Sequence, residues 1–397
     1  MRVLQVNNHH HIIGGSDQVY FKTRALLEEK GITCHSFAAR SDKDLHDADD
    51  AFFPEAPPAG KQTLKDLPSY LFNHKAGQAM KRYLDHSDPF DIAHLHIFYG
   101  RLTTAILRPL KRRGIGVVQS LHEYKLVCPV YTLERDGFVC TDCISGSTLS
   151  ALRYRCKRGS LSSSLIALAE FHASRMLGDV RLVDQFICVS AFQKALLVKA
   201  GLPTDKLTIL HNFVDVSETD LRPVDARQGY ILYFGRLERL KGLATLIQAA
   251  KIADIPLVVA GSGPFEKEAR HMAQGYDIRF AGFQSGDALK KLIAQALAVA
   301  VPSEWYENCP MSVLEAKAFG VPVIGARIGG IPELVRDSID GFLFEPGDVA
   351  GLANAFRSIQ DVDLPTFAAA ARHDALARFS GDQHFRQLTA IYASVRR

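Results

Sequence analysis

Short runs of apolar, often β-branched residues alternate along this chain with longer stretches of helical periodicity, and this alternation constrains the fold more than any other feature. In the first half the strand candidates are 3–6, 34–38, 92–96, 116–121 and 185–189, with helical stretches such as 18–30 and 191–200 between them. In the second half they are 230–234, 257–260, 278–281, 298–302, 321–324 and 341–344. The pattern predicts repeated βα units around parallel sheets, and therefore an α/β fold.

A polar segment with Pro223, within 207–227, indicates a linker between two halves. The 397 residues fit two or three domains of about 150 residues, or two of roughly 200. We expect an N-terminal domain at 1–210 with an insertion near 124–160, a second domain at 211–380, and a helix at 381–397 that packs back on the first domain. Two doubly wound, Rossmann-like domains facing across a cleft are the simplest arrangement, with ligands beyond the carboxyl ends of the strands.

The composition excludes several classes of protein. Hydrophobic residues make up 47% and charged residues 23% of the chain, which is ordinary globular usage. The formal charge of +4 is too small for a dedicated nucleic-acid binder. No apolar run reaches the ~18 residues that span a bilayer, and the N-terminus does not resemble a signal peptide. We therefore expect a cytoplasmic protein, at most attached to the inner membrane surface.

The first candidate site is the segment G-R-L-E-R-L-K-G at 235–242, directly after a predicted strand. Gly235 allows a sharp turn and a close approach of the backbone to a ligand. Arg236 and Lys241 would place two cations at a helix N-terminus, where the dipole also favours an anion. The segment predicts a diphosphate clamp, with a solvated, charged loop as the alternative.

A second candidate, G-S-G at 261–263, follows the next predicted strand. Gly261 and Gly263 suit a close approach to a nucleotide, but Glu266 stands where the dinucleotide fingerprint needs a third glycine. Taken alone, the pair also fits an ordinary tight turn. The absence of a complete fingerprint argues against a hydride-transferring dehydrogenase.

The third candidate is the pair Glu307 and Glu315, which follow the strand candidate at 298–302. A helix that starts near Pro310 would put Glu315 on its second turn and Glu307 in the preceding loop, so that both could face one ligand. The neighbours of Glu315 are apolar, which predicts a largely buried helix. A buried carboxylate needs partners, and ribose hydroxyls would serve; an exposed helix position is the alternative.

These motifs, together with G-G-I-P-E at 329–333, resemble the retaining GT-B glycosyltransferases, in particular the large family four (glycosyl transferases group 1). The resemblance implies that the domain at 1–210 binds the acceptor and that the domain at 211–380 binds the nucleotide sugar. In the second domain, it implies that Arg236 and Lys241 hold the donor's pyrophosphate. It places Glu315 on the ribose and Glu307 near the donor sugar. It also implies backbone contacts to the sugar and phosphates from a loop made of Asn308, Cys309, Pro310 and Met311.

In the first half, Gly14 and Gly15 resemble the family's glycine loop, and Asp17 fits the acid that usually follows it. His122, at the end of the strand candidate 116–121, resembles the family's histidine that contacts the donor sugar and the acceptor. A satisfied structural histidine is the alternative. His96, near the end of its own strand, is a weaker candidate.

Four of the seven cysteines lie in one insertion with the spacing C-x11-C-x2-C-x12-C, namely Cys128, Cys140, Cys143 and Cys156. Four thiols are sufficient for a tetrahedral structural zinc site. Free thiols and, less readily in the cytosol, disulfides remain open alternatives.

Two basic segments fit a solvated charged face, which is what such runs more often form, or a surface that contacts an anionic membrane. The first segment consists of Arg101, Arg108, Lys111, Arg112 and Arg113. The second, which precedes an apolar run at 161–168, consists of Arg153, Arg155, Lys157 and Arg158.

The predicted function is transfer of a sugar, of the hexosyl class, from a nucleotide-diphosphate sugar to a hydroxyl of a sugar or lipid-linked acceptor, in polysaccharide or glycolipid assembly. Cations and amides would stabilise the leaving pyrophosphate, so no catalytic divalent metal is required. Asp361 and Asp363 are interpreted as surface residues rather than a metal motif. Retention is implied by the resemblance. The alternatives are a phosphorylase or epimerase on the same fold and a non-catalytic sugar-nucleotide binder; donor, acceptor and oligomeric state stay open.

Overall fold

A computed structural model describes residues 1–55, 67–215 and 228–396. The chain divides into two compact units. The first unit comprises 1–133, 140–210 and 385–397, and the second comprises 134–139 and 211–384. The short segment 134–139, inside the cysteine-containing insertion, is thus grouped with the second unit. The part of the predicted linker that contains Pro223 lies outside the described residues.

The first eight strands of the chain are β1 (Arg2–Asn7), β2 (Thr33–Ala38), β3 (Ile92–Leu95), β4 (Gly116–Leu121), β5 (Glu134–Arg135), β6 (Phe138–Val139), β7 (Gln185–Cys188) and β8 (Leu207–Ile209). Six of them form a parallel sheet in the order β2-β1-β3-β4-β7-β8, while β5 and β6 form a separate antiparallel hairpin. Strand β8 was not predicted. Its three residues are too few to show a periodicity, and pairing with β7 fixes them as an edge strand.

The helices up to β8 are α1 (Gly15–Glu29), α2 (Leu67–Leu71), α3 (His74–His86), α4 (Leu107–Arg112), α5 (Asp142–Ser145), α6 (Ser150–Arg153), α7 (Leu161–Leu177) and α8 (Ala191–Lys199). The first core also includes three side chains from the C-terminal end of the chain. Leu388, Ile391 and Tyr392 are buried among apolar residues of β1, β3 and β4. The Tyr392 hydroxyl bonds to His94 Nδ1 at 2.7 Å, so the last helix is tied to this sheet.

The second unit contains β9 (Ile231–Phe234), β10 (Leu257–Ala260), β11 (Ile278–Gly282), β12 (Ala298–Val301), β13 (Val323–Ala326) and β14 (Gly341–Phe344). The remaining helices are α9 (Leu243–Ala253), α10 (Glu266–Met272), α11 (Gly286–Gln295), α12 (Met311–Ala318), α13 (Ile331–Leu334), α14 (Val349–Asp361), α15 (Leu364–Phe379) and α16 (Gly381–Val395). All six strands are parallel, in the order β11-β10-β9-β12-β13-β14.

Each sheet has one point at which the winding direction reverses. In the first unit the reversal lies between β1 and β3, and in the second it lies between β9 and β12. Open α/β sheets bind ligands beyond the carboxyl ends of the strands at such points, because the flanking loops diverge there. The prediction of two doubly wound, Rossmann-like sheets is confirmed, and the strand orders locate the candidate sites.

Candidate functional site

Lys241 and Glu307 form an ion pair at the switch point of the second sheet. The Lys241 Nζ lies 2.5 Å from Glu307 Oε1, and the Ser303 hydroxyl donates to the same oxygen at 2.7 Å. The Lys241 ammonium also lies over the Trp305 ring, 5.3 Å from its centroid. Glu307 is buried, so it needs charge-assisted partners of this kind. Ser303 is a contributor that sequence reasoning missed, although it directly follows the predicted strand.

The backbone of Glu307 is fixed by the G-G-I-P-E segment. The Gly330 amide donates to the Glu307 carbonyl at 2.7 Å. Gly329 has a φ of +60°, and a Cβ at this position would lie 2.3 Å from the same carbonyl oxygen. Only glycine combines this conformation with this closeness. The segment 329–330 therefore holds the loop that carries Glu307.

The prediction that Arg236 and Lys241 lie at a helix N-terminus is wrong in detail. A short 3₁₀ turn, Arg239–Lys241, follows the loop, and α9 begins only at Leu243. A Cβ on Gly242 would lie 1.8 Å from the Pro302 carbonyl oxygen, so glycine is needed where this turn meets the end of β12. The Arg236 side chain is largely exposed and pairs with Glu238 at 2.7 Å. Lys241 alone of the two predicted cations contacts Glu307.

The three glycines after β9 and β10 bring two loops together. A Cβ on Gly261 would lie 1.9 Å from the Gly235 carbonyl oxygen, and one on Gly263 would lie 2.4 Å from the Leu237 carbonyl oxygen. The Leu237 amide donates to the Ser262 carbonyl at 2.9 Å. Close backbone packing therefore accounts for Gly261 and Gly263, in addition to any contact with a nucleotide.

Helix α12 carries Glu315 on its second turn, and Pro310 is its N-cap. Glu315 is half-buried, whereas Val313 and Leu314 are completely buried. The helix is anchored by Lys317, which no sequence argument singled out. Its buried ammonium pairs with Asp340 at 3.0 Å and with Asp374, and donates to the Leu334 carbonyl at 2.6 Å. The sequence does contain a sign of this role, because Lys317 stands between two alanines in a helix that is predicted to be buried.

Within the loop 308–311, the Cys309 carbonyl accepts a hydrogen bond from the Asn212 side chain at 3.2 Å. Burial raises the pKa of the Cys309 thiol to about 12, so this cysteine is an unreactive packing residue. The loop ends at Met311, where α12 begins, and its backbone thus leads into a helix N-terminus.

In the first unit, Asp17 holds the glycine loop. Its Oδ2 accepts hydrogen bonds from the backbone amides of Ile13 at 3.0 Å and Gly14 at 3.1 Å, and its Oδ1 accepts one from Asn7 Nδ2 at 2.9 Å. A Cβ on Gly14 or Gly15 would meet no atom within 4 Å. Open space therefore lies beside both glycines, at the carboxyl end of β1, and Asn7 is a further residue that the sequence argument missed.

His122 is hydrogen bonded to His96, and His96 to Gln5. The His122 Nε2 lies 2.8 Å from His96 Nδ1, and the His96 Nε2 lies 3.1 Å from Gln5 Oε1. Burial lowers the pKa of His122 to about 4, against a raising effect of Asp17, so the ring is neutral at pH 7. If the Gln5 oxygen accepts from His96, His96 Nδ1 must accept from His122 Nε2–H. His122 Nδ1 is then a hydrogen-bond acceptor, suited to a hydroxyl group.

Glu123, the residue after His122, is a carboxylic acid next to these hydrogen-bonded histidines. Burial raises the pKa of the Glu123 carboxyl to about 7. Glu123 and His122 line an internal cavity of about 10 Å³, roughly the room that one water molecule needs. His94, on the neighbouring strand, has a structural role, because it bonds to Ser120 at 2.8 Å and to Tyr392.

The four cysteines of the insertion gather around Cys143. The other three thiols all raise its pKa, in addition to burial, and bring it to about 12. Burial raises the pKa of the Cys128 thiol, against a lowering effect of the nearby backbone at 130–133. None of the four cysteines forms a disulfide in the structure. Within 1–55, 67–215 and 228–396, no group of three or more His, Cys, Asp or Glu side chains is arranged as a metal site.

The basic residues on and near α4 are partly neutralised. Lys111 pairs with Asp184 at 2.6 Å, and Arg113 pairs with Asp85. These acids come from other elements, which the sequence around α4 could not show. In the part of the chain that the structure describes, every helix is too short or too polar to cross a bilayer.

Two family models match this chain. Residues 13–218 match the model described as Glycosyltransferase Family 4, and residues 221–364 match the model described as Glycosyl transferases group 1. The chain is 25% identical over 328 residues to an uncharacterised glycosyltransferase of Methanocaldococcus jannaschii. This alignment covers 77% of this chain and 75% of that protein. It is 26% identical over 213 residues to the amylovoran biosynthesis glycosyltransferase AmsK of Erwinia amylovora, 49% of this chain and 52% of the relative.

Solved structures with the same fold include Anabaena HepE in complex with UDP and glucose, with a TM-score of 0.66, 18% identity, and coverage of 99% of this chain and 100% of that one. The sucrose-phosphate synthase of Thermosynechococcus elongatus has a TM-score of 0.69 and 18% identity, with 99% and 98% coverage. At these identities the similarity concerns the fold. Because a family model matches more than half of its length, the chain belongs to Glycosyltransferase Family 4, and it is a glycosyltransferase with the GT-B fold.

Proposed function

We propose that the protein transfers a hexosyl residue from a nucleotide-diphosphate sugar to an acceptor hydroxyl, with retention of anomeric configuration, in polysaccharide or glycolipid assembly. The observation that carries this proposal is the Lys241–Glu307 pair at the switch point of the second sheet, where a ligand of an open α/β sheet is expected. Relatives named for amylovoran biosynthesis and glycogen synthesis, and the UDP complexes of HepE, support this substrate class.

The second unit would bind the donor. Lys241, with Arg236 moved from Glu238, would neutralise the charge that develops on the leaving pyrophosphate. Glu315 would accept hydrogen bonds from ribose hydroxyls, and Glu307 would contact the sugar while it orients Lys241. The glycines 235, 261 and 263 and the backbone of 308–311 would surround the nucleotide and phosphates.

The first unit would contribute to sugar and acceptor recognition. His122, neutral at pH 7, would accept a hydrogen bond from a sugar or acceptor hydroxyl at Nδ1. The open space beside Gly14 and Gly15 would admit an anionic group to the loop backbone. The acceptor class we propose is a sugar or lipid-linked sugar at the cytoplasmic side of the membrane.

A thermal-shift screen across UDP-, GDP- and ADP-sugars tests the proposal, because a ligand that binds the folded state raises the melting temperature. We expect one nucleotide class to raise it, and Lys241→Ala to remove that shift. Product analysis then separates the alternatives. A phosphorylase requires inorganic phosphate, an epimerase releases an isomeric nucleotide sugar, and a binding protein releases no product; any of these results would contradict transfer.

The metal requirements are separate proposals. No catalytic divalent ion is required, so transfer should persist in excess chelator. The gathering of Cys128, Cys140 and Cys156 around Cys143 supports a structural zinc site once the four sulfurs converge on the ion. We expect about one zinc per chain in metal analysis, and loss of that zinc in Cys140→Ser; protein from zinc-replete cells without zinc would contradict the site.

A further inference from the structure

Helix α7 exposes an apolar stripe to solvent. Leu161, Leu165, Ala169 and Met176 form the stripe, with the polar His172 between the last two. All five are spaced by three or four residues, so they lie on one face. Leu161 is 55%, Leu165 54% and Met176 78% exposed. The outward face of a surface helix is normally polar. Here it carries no charged residue over about 22 Å of helix, at 1.5 Å per residue.

The orientation of α7 is fixed from the opposite side. Glu170, which is buried, pairs with Lys125, and Ser174 donates to the Glu170 carboxylate at 3.0 Å. Ala167 and Leu168 are also buried on the inward side. Rotation that hid the apolar stripe would expose these groups and break the buried ion pair, which is costly. The packing of the inward face therefore keeps the apolar stripe turned towards solvent.

Basic side chains lie immediately before the N-terminus of α7. Arg153, Arg155 and Arg158 are exposed, and none of the three has a carboxylate partner among the described residues. The helix dipole adds partial positive charge at this end. A 3.0 Å hydrogen bond between Thr148 and His172 brings the next residue, the exposed Leu149, beside the stripe. Positive charge and apolar surface thus adjoin each other.

We propose that the α7 surface, defined as this stripe with Leu149, Arg153, Arg155 and Arg158, docks on an anionic lipid bilayer. Charge complementarity argues for this occupant, because phosphate headgroups match arginines that pair with no described carboxylate, while the acyl boundary accepts leucine and methionine. The helix lies in the plane of the interface and does not cross it. This property is independent of sugar transfer. The proposed surface lies on α6 and α7, where exposed arginines adjoin apolar side chains, rather than on α4, where Lys111 and Arg113 are paired with acids.

Vesicle co-sedimentation tests the docking. The full-length protein is mixed with vesicles of phosphatidylcholine alone and of phosphatidylcholine with phosphatidylglycerol in equal parts. We expect binding to the anionic vesicles that weakens with rising salt. Replacing Arg153, Arg155 and Arg158 together with alanine should lower the partition coefficient roughly 100-fold, at about a factor of ten or less per charge. Leu165→Asp should lower it roughly tenfold or more.

The matched control is Ile252→Asp on α9 in the second unit. It replaces a side chain that is 55% exposed, against 54% for Leu165, and should leave vesicle binding unchanged. Unaltered circular dichroism spectra and melting temperatures confirm that the variants are folded. Equal binding to both vesicle types, or binding that is insensitive to Leu165→Asp, would overturn the proposal. A dimer in sedimentation velocity that Leu165→Asp dissociates, without vesicle binding, would also overturn it and assign the stripe to a second copy.

Discussion

Lys241 and Glu307 are 66 residues apart in the chain, yet the Lys241 ammonium lies 2.5 Å from the Glu307 carboxylate. The two residues follow β9 and β12, strands that are hydrogen-bonded neighbours because the sheet reverses its winding direction between them. The pair fixes a cation beside the site at which we place the donor's diphosphate. The Lys241 cation in turn offsets the cost of burying the Glu307 carboxylate.

Removal of one partner should therefore affect both stability and activity. Lys241→Met leaves the Glu307 charge buried without its cation, and we expect a loss of about 3 kcal/mol in the free energy of unfolding, with no measurable transfer. Lys241→Met combined with Glu307→Gln should recover most of the stability but none of the activity. The control Lys290→Met, at an exposed ion pair, should cost less than about 1 kcal/mol. Urea unfolding measures the free energy of unfolding, and product assays measure the transfer activity. Full activity in Lys241→Met would refute the site.

Glu315→Ala should weaken donor binding more than it slows transfer. The side chain lies on the second turn of α12, where we place the ribose, and a hydrogen bond to a charged group contributes about 1.5–3 kcal/mol. We expect the donor KM to rise roughly tenfold or more, with kcat reduced less. Glu268→Ala, at an exposed position on α10, is the control and should leave both constants unchanged. An unchanged KM in Glu315→Ala would argue against the ribose contact.

His122 should make the protein less stable as the pH falls. Its pKa is about 4 in the folded state, against 6.5 for an exposed histidine, so the unfolded state takes up a proton first. Stability attributable to the neutral ring is complete above pH 6.5 and is lost progressively towards pH 4. At pH 5 the loss should be about 2 kcal/mol. His122→Gln should remove this loss of stability at pH 5, whereas His172→Gln, at an exposed position, should not. Identical profiles of stability against pH for wild type and His122→Gln would contradict a buried neutral ring.

Gly329→Ala should disturb the loop that carries Glu307. The substitution meets a φ of +60° and a carbonyl oxygen 2.3 Å from the new Cβ. Gly275→Ala is a matched control, because its φ is +79° and its Cβ would meet nothing within 4 Å. Gly275→Ala should lower the free energy of unfolding by about 1–2 kcal/mol, from backbone strain alone. Gly329→Ala should cost clearly more and reduce transfer; equal unfolding free energies for the two variants would show that the close contact has no effect.

Much of the fold was predictable because it depends on local pattern. Five strands in the first half and six in the second repeat the same apolar signal, and helix α12 begins one residue after Pro310, close to the predicted start. The three-residue strand β8 escaped prediction because so short a segment is defined only by its neighbour. The start of α9 was misplaced because a 3₁₀ turn and a helix have the same composition, and contacts with the end of β12 decide between them.

By itself, the sequence determined the α/β class, the glycines at the strand ends and the candidate pair Glu307 and Glu315. These are properties of periodicity and of residue type, and they are read from neighbours along the chain. Only the tertiary structure decided that Lys241 and Ser303 share the Glu307 oxygen, that Gln5 and His96 line up behind His122, and that α7 turns leucines outward. The reason is that strand order and helix rotation are set by packing between distant segments, whose distances no local pattern encodes.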